Sequence, residues 1–220
     1  VVIVVSNPLD AMVQRAMPDL GNQQRSTESL VRDYTTSRTE GLNVGSKAVK
    51  FGPNWINLDV VPGPGVDVVG DAHALPFPDA RFDAVVLSAV LQYCRNPWRV
   101  IEEVRRVLRP GGVALVNAPF LQPYCKEAGS IDRYRFSRDG LCALFDEGFE
   151  VLESGVTLPT GSALAMVLRS TADTVSEHRV VSAALRLGVS WVAWPLSRVS
   201  AHCHDDTAGA VYCVAARREG

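Results

Sequence analysis

No single charge dominates this chain: 22 lysines and arginines stand against 24 aspartates and glutamates, a net of −2 over 220 residues. No long-range field therefore draws nucleic acid or an anionic membrane to the molecule as a whole, and the expected partner is small or local. Cysteine is sparse: Cys94, Cys125, Cys142, Cys203 and Cys213 are five in number, widely spaced and form no Cys-x-x-Cys. That pattern argues against a disulfide framework or a zinc knuckle and for a reducing cytoplasm. Long apolar runs are missing as well. Val1-Val2-Ile3-Val4-Val5 meets Asn7-Pro8 at once, and the apolar stretch Val180–Val199 is broken by Arg186 and Pro195 and carries Ser182, Ser190 and Ser197. Neither suits a signal core or a transmembrane segment. With no starting Met, the N-terminus reads as trimmed or incomplete. Nothing repeats at a fixed period, and no segment is of low complexity.

What is present is a hydrophobic fraction of 47%, enough to bury the core of one domain with an insertion. Residues 1–40 carry little pattern beyond a helix expected over Thr27–Tyr34. From Gly41 onward, strands are expected at Gly41–Gly45, Trp55–Val60, Val66–Asp71, Phe82–Leu87, Val113–Ala118, Phe149–Glu153 and Ala210–Ala215. Phe82–Leu87 is apolar on both faces through its centre, as a central parallel strand covered by helices must be. Such strands call for helical crossovers. One is clear over Pro97–Arg109, where Ile101, Val104 and Leu108 face one way and Glu102, Glu103, Arg105, Arg106 and Arg109 the other; Pro110-Gly111-Gly112 is expected to stop it as a turn. Ser137 is placed to cap a short helix holding Leu141, Leu144 and Phe145, with Gly148 ending it. The loop Pro119–Phe136 is long enough to suggest a functional role, and Gly161–Asp206 reads as mostly helical.

In open α/β sheets ligands bind beyond the carboxyl ends of the strands, and the informative residues lie there. Gly45 follows the first strand, where a residue without a Cβ lets a cofactor approach the backbone. Asp59 ends the second, where a carboxylate can accept from both hydroxyls of a ribose. Asp71, with the Ala72 amide, ends the third and could read the polar edge of an adenine; Ser88 ends the fourth. No Gly-x-Gly-x-x-Gly follows the first strand, which weakens a nicotinamide-dependent reading.

Leu42-Asn43-Val44-Gly45-Ser46, Asn57-Leu58-Asp59, Gly70-Asp71-Ala72-His73-Ala74-Leu75-Pro76-Phe77, Phe82-Asp83-Ala84-Val85-Val86 and Leu108-Arg109-Pro110-Gly111-Gly112 together resemble the ordered motifs of class I S-adenosylmethionine-dependent methyltransferases. The resemblance covers roughly Gly41–Gly155, and Arg133–Leu141 is similar to a motif of one branch. It implies a Rossmann-like, doubly wound, mostly parallel seven-stranded sheet whose last strand is antiparallel, with a helical insertion at 160–206, a candidate acceptor lid, before it. It implies S-adenosyl-L-methionine as cofactor, with Gly45 and Ser46 beside its methionine part, Asp59 on the ribose, Asp71 and Ala72 at the adenine and Ser88 facing the sulfonium. The pattern departs from the family at Lys47, where a second glycine is usual, in the short gap from Gly45 to Asp59, at Gln92-Tyr93, where many relatives show Glu-His, and at Cys125, where a histidine is common in the similar branch.

Methyl transfer from a sulfonium is an in-line displacement with a good leaving group, so alignment and exclusion of water matter most. If the small-molecule acceptor is a hydroxyl, Tyr93, Tyr124 and Asp132 are candidate bases, with His73 behind them; Tyr93 is equally a ring for the cationic sulfur or a packing residue. The alternative is a methyltransferase-like subunit that binds cofactor or partner without turnover. His202-Cys203-His204-Asp205-Asp206 holds ligand types, but neighbours on an extended chain point apart, so no metal is expected. Arg95, Arg99, Arg105, Arg106 and Arg109 are neutralised by nearby acids, which disfavours nucleic acid. Asp83 is expected to serve the start of the fourth strand. Trp191 and Trp194 suit core packing, a lipid interface or an acceptor cover.

Overall fold

The run Phe82–Ser88 forms β4, and Ala84, Val85, Val86 and Leu87 within it are wholly buried, which only a strand covered on both faces achieves. A computed structural model describes residues 25–46, 49–125, 131–175, 179–200 and 208–219. Around β4 lie β1 (Gly41–Val44), β2 (Trp55–Asp59), β3 (Val68–Val69), β5 (Leu108–Pro119), β6 (Phe149–Pro159) and β7 (Ala208–Arg217), in the sheet order β3-β2-β1-β4-β5-β7-β6. The pairings β1–β2, β2–β3, β1–β4 and β4–β5 are parallel, and β7 runs antiparallel to β5. This is the mixed seven-stranded sheet expected from the sequence.

Helix α1 spans Thr27–Tyr34, as the pattern predicts. The Ser29 amide donates to the Ser26 hydroxyl at 3.1 Å to cap it, and Leu30 and Val31 pack on Trp55, Ala84, Val86, Leu115, Tyr212 and Val214. Helix α2 spans Pro97–Val107, with Asn96 as its cap and Pro97 at its first position. Helix α3 (Arg138–Cys142) is capped by Ser137, whose hydroxyl accepts from the Gly140 amide at 3.1 Å. Gly148, at φ 76°, turns the chain into β6.

Three expectations need correction. First, the helical crossovers are missing from the described parts of the β1–β2, β2–β3 and β3–β4 links; α2, between β4 and β5, is a crossover of the expected kind. The described parts of these links are pinned by side chains instead. Asn43 and Asn57, partners in the β1–β2 register and both buried, donate to the Val49 and Gly65 carbonyls, each at 2.8 Å. The buried Glu103 carboxylate accepts from the Leu75 amide at 2.8 Å, while Arg106 donates to the Leu75 and Phe77 carbonyls at 2.9 and 2.7 Å. Second, β3 is shorter than Val66–Asp71, because Asp67 turns its carboxylate back to the Asn57 amide at 2.9 Å; a very short edge strand also offers little to a second chain. Third, Pro110-Gly111-Gly112 is not a turn after a helix ending at Arg109. The helix stops at Val107 and Leu108 already pairs with Phe82, whereas Ala84 pairs with Val113. The residues between bulge out, with Gly111 at φ 76°, and a Cβ on Gly112 would stand 2.9 Å from the Arg109 carbonyl.

The described residues fall into two compact units. The sheet unit holds 25–46, 49–120, 124–125, 131–157 and 210–219; the other holds 121–123, 158–175, 179–200 and 208–209. Within the second, α4 (Thr160–Val175) and α5 (Arg179–Ser200) pack on each other. Ala165 meets Ala193, and Arg169 Nε donates to Ser190 Oγ at 2.6 Å, so the pair runs antiparallel.

In the sheet unit one carboxylate ties α1, β6 and β7 together. Glu153 accepts from Arg25 Nε and Nη2 at 3.2 and 3.1 Å, from Tyr34 at 2.7 Å and from Tyr212 at 2.6 Å. Arg25 and then Tyr212 and Tyr34 pull its pKa from the ordinary 4.5 to about 2 against the cost of burial. A carboxyl depressed in the fold contributes stability that is whole above its unfolded value and fades as pH falls through the folded one. Glu153→Ala is therefore expected to lower stability by about 2 kcal/mol at neutral pH, solvent screening allowed for. Urea unfolding should show the gap between wild type and variant closing as pH falls from 4.5 towards about 2; a gap that stays constant over that window would count against the clasp.

Candidate functional site

The parallel register sets the site's frame. Val44 pairs with Leu58 on one side and Leu87 on the other, Asp59 pairs with Val69, and Ser88 pairs with Asn117. Gly45, Asp59, Asp71 and Ser88 consequently form one row along the carboxyl edge of β1 to β4, where a ligand of an open α/β sheet sits.

Gly45 has φ 68°, and its amide and that of Ser46 both donate to the Leu58 carbonyl, at 2.8 and 3.3 Å. Its missing Cβ has a reason other than the one expected: the space is taken by the Val90 side chain, which a Cβ would strike. Close packing, together with a left-handed backbone, requires the glycine here. Ser46 is buried at 3% exposure, and its hydroxyl has no hydrogen-bond partner among the described residues. An unpaired buried hydroxyl costs free energy, so this atom is suited to a polar ligand. Lys47 lies outside the described residues.

Asp59 is half-buried; its Oδ1 accepts the Val61 amide at 3.1 Å and its carbonyl the Gly70 amide at 3.0 Å. Asp71 is exposed and works locally. Its Oδ1 takes the His73 amide at 2.9 Å and His73 Nδ1 at 2.6 Å, and these contacts, the backbone one first, hold its carboxyl below the ordinary range. His73 Nε2 accepts the Asn96 amide at 3.2 Å; that ring nitrogen therefore carries no proton, and the proton sits on Nδ1 facing Asp71. Asn96 in turn caps α2 through the Arg99 amide at 3.1 Å. Ala72, half-buried, lies inside this turn.

Ser88 is tied sideways. Its hydroxyl lies 3.2 Å from Thr27 Oγ1 and accepts from Asn117 Nδ2 at 3.1 Å. Asn117 also takes the Ala89 amide at 3.0 Å, and Ala89 stands at φ 54°. Beyond it a 3-10 turn, Leu91–Tyr93, carries buried Gln92, whose Nε2 donates to the Ala89 carbonyl at 2.8 Å while Oε1 lacks a partner among the described residues. Thr27 and Asn117 escaped the sequence reading, and Gln92 entered it only as a departure from the family pattern; the available signal was an Asn near the end of an otherwise apolar strand.

Among the candidate bases, Tyr93 is half-buried and Tyr124 is exposed. Asp132 is committed elsewhere: its buried carboxylate forms a two-pronged pair with Arg135 and accepts the Cys125 amide at 2.9 Å. Arg135 chiefly, against burial, holds its pKa low, the opposite of what a general base needs.

Arg99 is paired with Glu102 and Glu103, Arg106 with Glu103 and Asp79, and Arg109 with Asp83 and Glu40, so much of the basic run is neutralised as expected. A depression of about 520 Å³ lies away from the strand ends, between α2 and Gly148, Arg217 and Arg218; these are not the residues of the row. His202–Asp206 lies outside the described residues, and among those described no group of three or more His, Cys, Asp or Glu could hold a metal ion.

Residues 22–116 match the family described as a methyltransferase domain. A demethylmenaquinone methyltransferase of Renibacterium salmoninarum is 46% identical over 84 residues, 38% of this chain and 34% of that protein. A probable phthiotriol/phenolphthiotriol dimycocerosates methyltransferase of Mycobacterium ulcerans is 55% identical over 85 residues, 38% of this chain and 31% of that protein. The chain spans about a third of the length of these curated relatives. A crystal structure of an S-adenosylmethionine-dependent methyltransferase from Mesorhizobium loti superposes with a TM-score of 0.55 at 15% identity, covering 87% of this chain and 98% of that one; at that identity the likeness speaks for the fold.

The contact between Gly45 and Val90 yields a double-mutant test. Gly45→Ala is expected to cost about 2–3 kcal/mol through strain and collision together. Adding Val90→Ala should recover part of that cost, a coupling of at least about 0.5 kcal/mol by denaturant unfolding. Simple additivity would show that Val90 does not occupy the glycine's bare side.

Proposed function

We propose that the chain carries a methyltransferase domain of the class I, S-adenosylmethionine-dependent kind, as the match over residues 22–116 and the sheet order support, and that it moves a methyl group from S-adenosylmethionine to a small lipophilic acceptor, with a hydroxyl oxygen receiving it. The observation that carries the reading is the row at the carboxyl edge of β1 to β4, with the buried Ser46 hydroxyl, which has no partner among the described residues, next to Gly45. In this reading Gly45 and Ser46 lie beside the methionine part, Asp59 accepts from the ribose hydroxyls, Asp71 and Ala72 flank the adenine, and Ser88 faces the sulfonium side. The lipophilic class draws on relatives named for demethylmenaquinone and for phthiotriol dimycocerosates.

When bound, S-adenosylmethionine supplies a methyl carbon on a positively charged sulfur that departs as a neutral thioether, so no protein acid is needed. The chain's contribution is alignment and exclusion of water. Asp59 and Asp71 fix the nucleoside end, and the Thr27–Ser88–Asn117 cluster holds the β4 end rigid. The acceptor's hydroxyl proton needs an outlet. Asp132, held ionised by Arg135, is a weak one, which leaves Tyr93, Tyr124 or water. We assign the insertion at 160–206 to acceptor recognition: removing residues 165–200 is expected to leave cofactor binding intact and abolish turnover. Burial pushes the Cys94 thiol up to about 11, and an inert thiol of this kind suits a reducing cytoplasm.

A second reading, a subunit that binds the cofactor without turnover, draws on the Gln92-Tyr93 pair and the helix-free described part of the β1–β2 link. Calorimetric titration with S-adenosylmethionine and with its demethylated product, set beside a methyl-transfer assay, separates the two. Asp59→Ala should weaken binding at least about tenfold, the worth of a hydrogen bond to a charged group. Ser46→Ala should weaken binding while leaving the unfolding midpoint unchanged or higher, because it removes an unsatisfied hydroxyl. Absence of heat with both nucleosides would defeat the cofactor assignment.

A further inference from the structure

The Asp71 carboxylate is held by one oxygen only. Its Oδ1 accepts the His73 amide at 2.9 Å and the His73 ring N–H at 2.6 Å, so two donors of one residue converge on it. Oδ2 has no partner among the described residues, and the side chain is 63% exposed, so a ligand can reach that oxygen. The backbone around it does not depend on the ring. The Gly70 amide donates to the Asp59 carbonyl at 3.0 Å, the Ala74 amide to the Asp71 carbonyl at 3.0 Å and the Leu75 amide to the Glu103 carboxylate at 2.8 Å. What the ring adds is the direction of the carboxylate. The torsion that turns an aspartate carboxylate is soft, and either oxygen can take a lone backbone bond. A second donor on Oδ1 removes that choice.

The ring is itself fixed from behind. Its Nε2 accepts the Asn96 amide at 3.2 Å, and Asn96 caps α2 through the Arg99 amide at 3.1 Å. A ring nitrogen that accepts a hydrogen bond leaves the other one to carry the proton, so the start of α2 sets the tautomer that serves Asp71. This arrangement excludes His73 as a base, because its accepting nitrogen is filled and its N–H is spent on a carboxylate. The turn suits a nucleobase edge instead. Oδ2 is an acceptor, and the neighbouring Ala72 amide donates to no described residue. Adenine offers an exocyclic amine as donor and, beside it, N1 as acceptor. Hypoxanthine offers the reverse, a carbonyl oxygen and an N–H, and would bring an oxygen against the carboxylate.

We propose that His73 is a positioning residue for the cofactor's nucleobase: by occupying Oδ1 of Asp71 it aims Oδ2 at the exocyclic amine, and so makes the site select adenine over hypoxanthine. The proposal rests on the reading that places Asp71 at the adenine, and it goes further by assigning the selectivity to a residue that does not touch the ligand. Arg95 also acts on Asp71, through charge, which favours the ionised carboxylate without choosing between its oxygens.

Calorimetric titration of the full chain with S-adenosylhomocysteine and with S-inosylhomocysteine is the test, and the ratio of the two dissociation constants is the readout. Both ligands meet the same folded protein, so a general loss of stability cancels in that ratio. Wild type is expected to bind the adenosine form at least about tenfold more tightly, and His73→Ala should shrink that preference at least about threefold. Two further substitutions divide the ring's contacts. His73→Asn keeps a donor near the Nδ1 position for Asp71 and should keep most of the preference. His73→Gln keeps an acceptor near the Nε2 position for Asn96 and should lose it. In an Asp71→Ala background, where the preference is already gone, His73→Ala should change nothing further. A preference that Gln retains and Asn loses would make the ring a prop for α2 and overturn the proposal. A preference abolished by Asp71→Ala but untouched by His73→Ala would overturn it too, while leaving the adenine reading of Asp71 standing. No preference in wild type, or one untouched by Asp71→Ala, would sink both.

Discussion

The architecture of the candidate site depends on two buried amides. Asn43 and Asn57 face each other in the β1–β2 register, 3.4 Å from Nδ2 to Oδ1, at positions where a parallel strand normally carries valine or isoleucine. A buried amide must find partners or cost the fold a hydrogen bond. Each finds one in the chain that leaves its own strand: Asn43 at Val49, Asn57 at Gly65. The link after β1, which carries Gly45 and Ser46, and the link after β2, which follows Asp59, are therefore held down by the strands themselves, with no helix among their described residues. An apolar pair at these positions would pack well in the sheet and leave both links untethered.

The same economy recurs along the edge. The link from β3 to β4 is fastened to α2 through Glu103 and Arg106, and Asp71 reaches the start of that helix through His73 and Asn96. Side-chain bonds to backbone groups substitute for missing secondary structure at each step, and they leave the edge rigid. Rigidity is what displacement at a sulfonium requires of a protein, since the barrier is lowered chiefly by placing donor and acceptor in line. Of the buried side-chain polar atoms without partners among the described residues, two, Ser46 Oγ and Gln92 Oε1, stand on this edge and on the turn that follows β4.

The central strands, α1 and the helix after Ser137 were legible because apolar pattern and, at Ser137, a capping residue agreed there; Ser26 and Asn96, which the sequence reading did not name as caps, start α1 and α2. What escaped involves contacts between residues far apart in sequence. The bulge at Pro110-Gly111-Gly112 exists because Ala84 skips ahead in its pairing, and nothing local distinguishes that from a turn. Gly45 was read correctly as a place where a Cβ is forbidden, but the obstacle is Val90, a residue 45 positions on by the printed numbering. Asp132 looked like a base by type and location; its bond to Arg135, three residues along, is apparent only once the loop's path is known. The short β3 hinges on one carboxylate turning back to Asn57.

A near-zero net charge is a poor guide to what a surface attracts. The sheet unit neutralises its arginines pair by pair, so Arg106, for example, meets both Glu103 and Asp79, and that pairing erases its field within about a Debye length. Arg109 likewise meets Asp83 and Glu40, and Arg25 meets Asp33 and Glu153. Pairs such as Arg109 with Glu40 and Arg25 with Glu153 join elements that the chain itself keeps far apart, so in the sheet unit the acids act first as fasteners of loops and strand ends, and the balance of the total charge is a by-product of that pairing rather than a guide to any ligand.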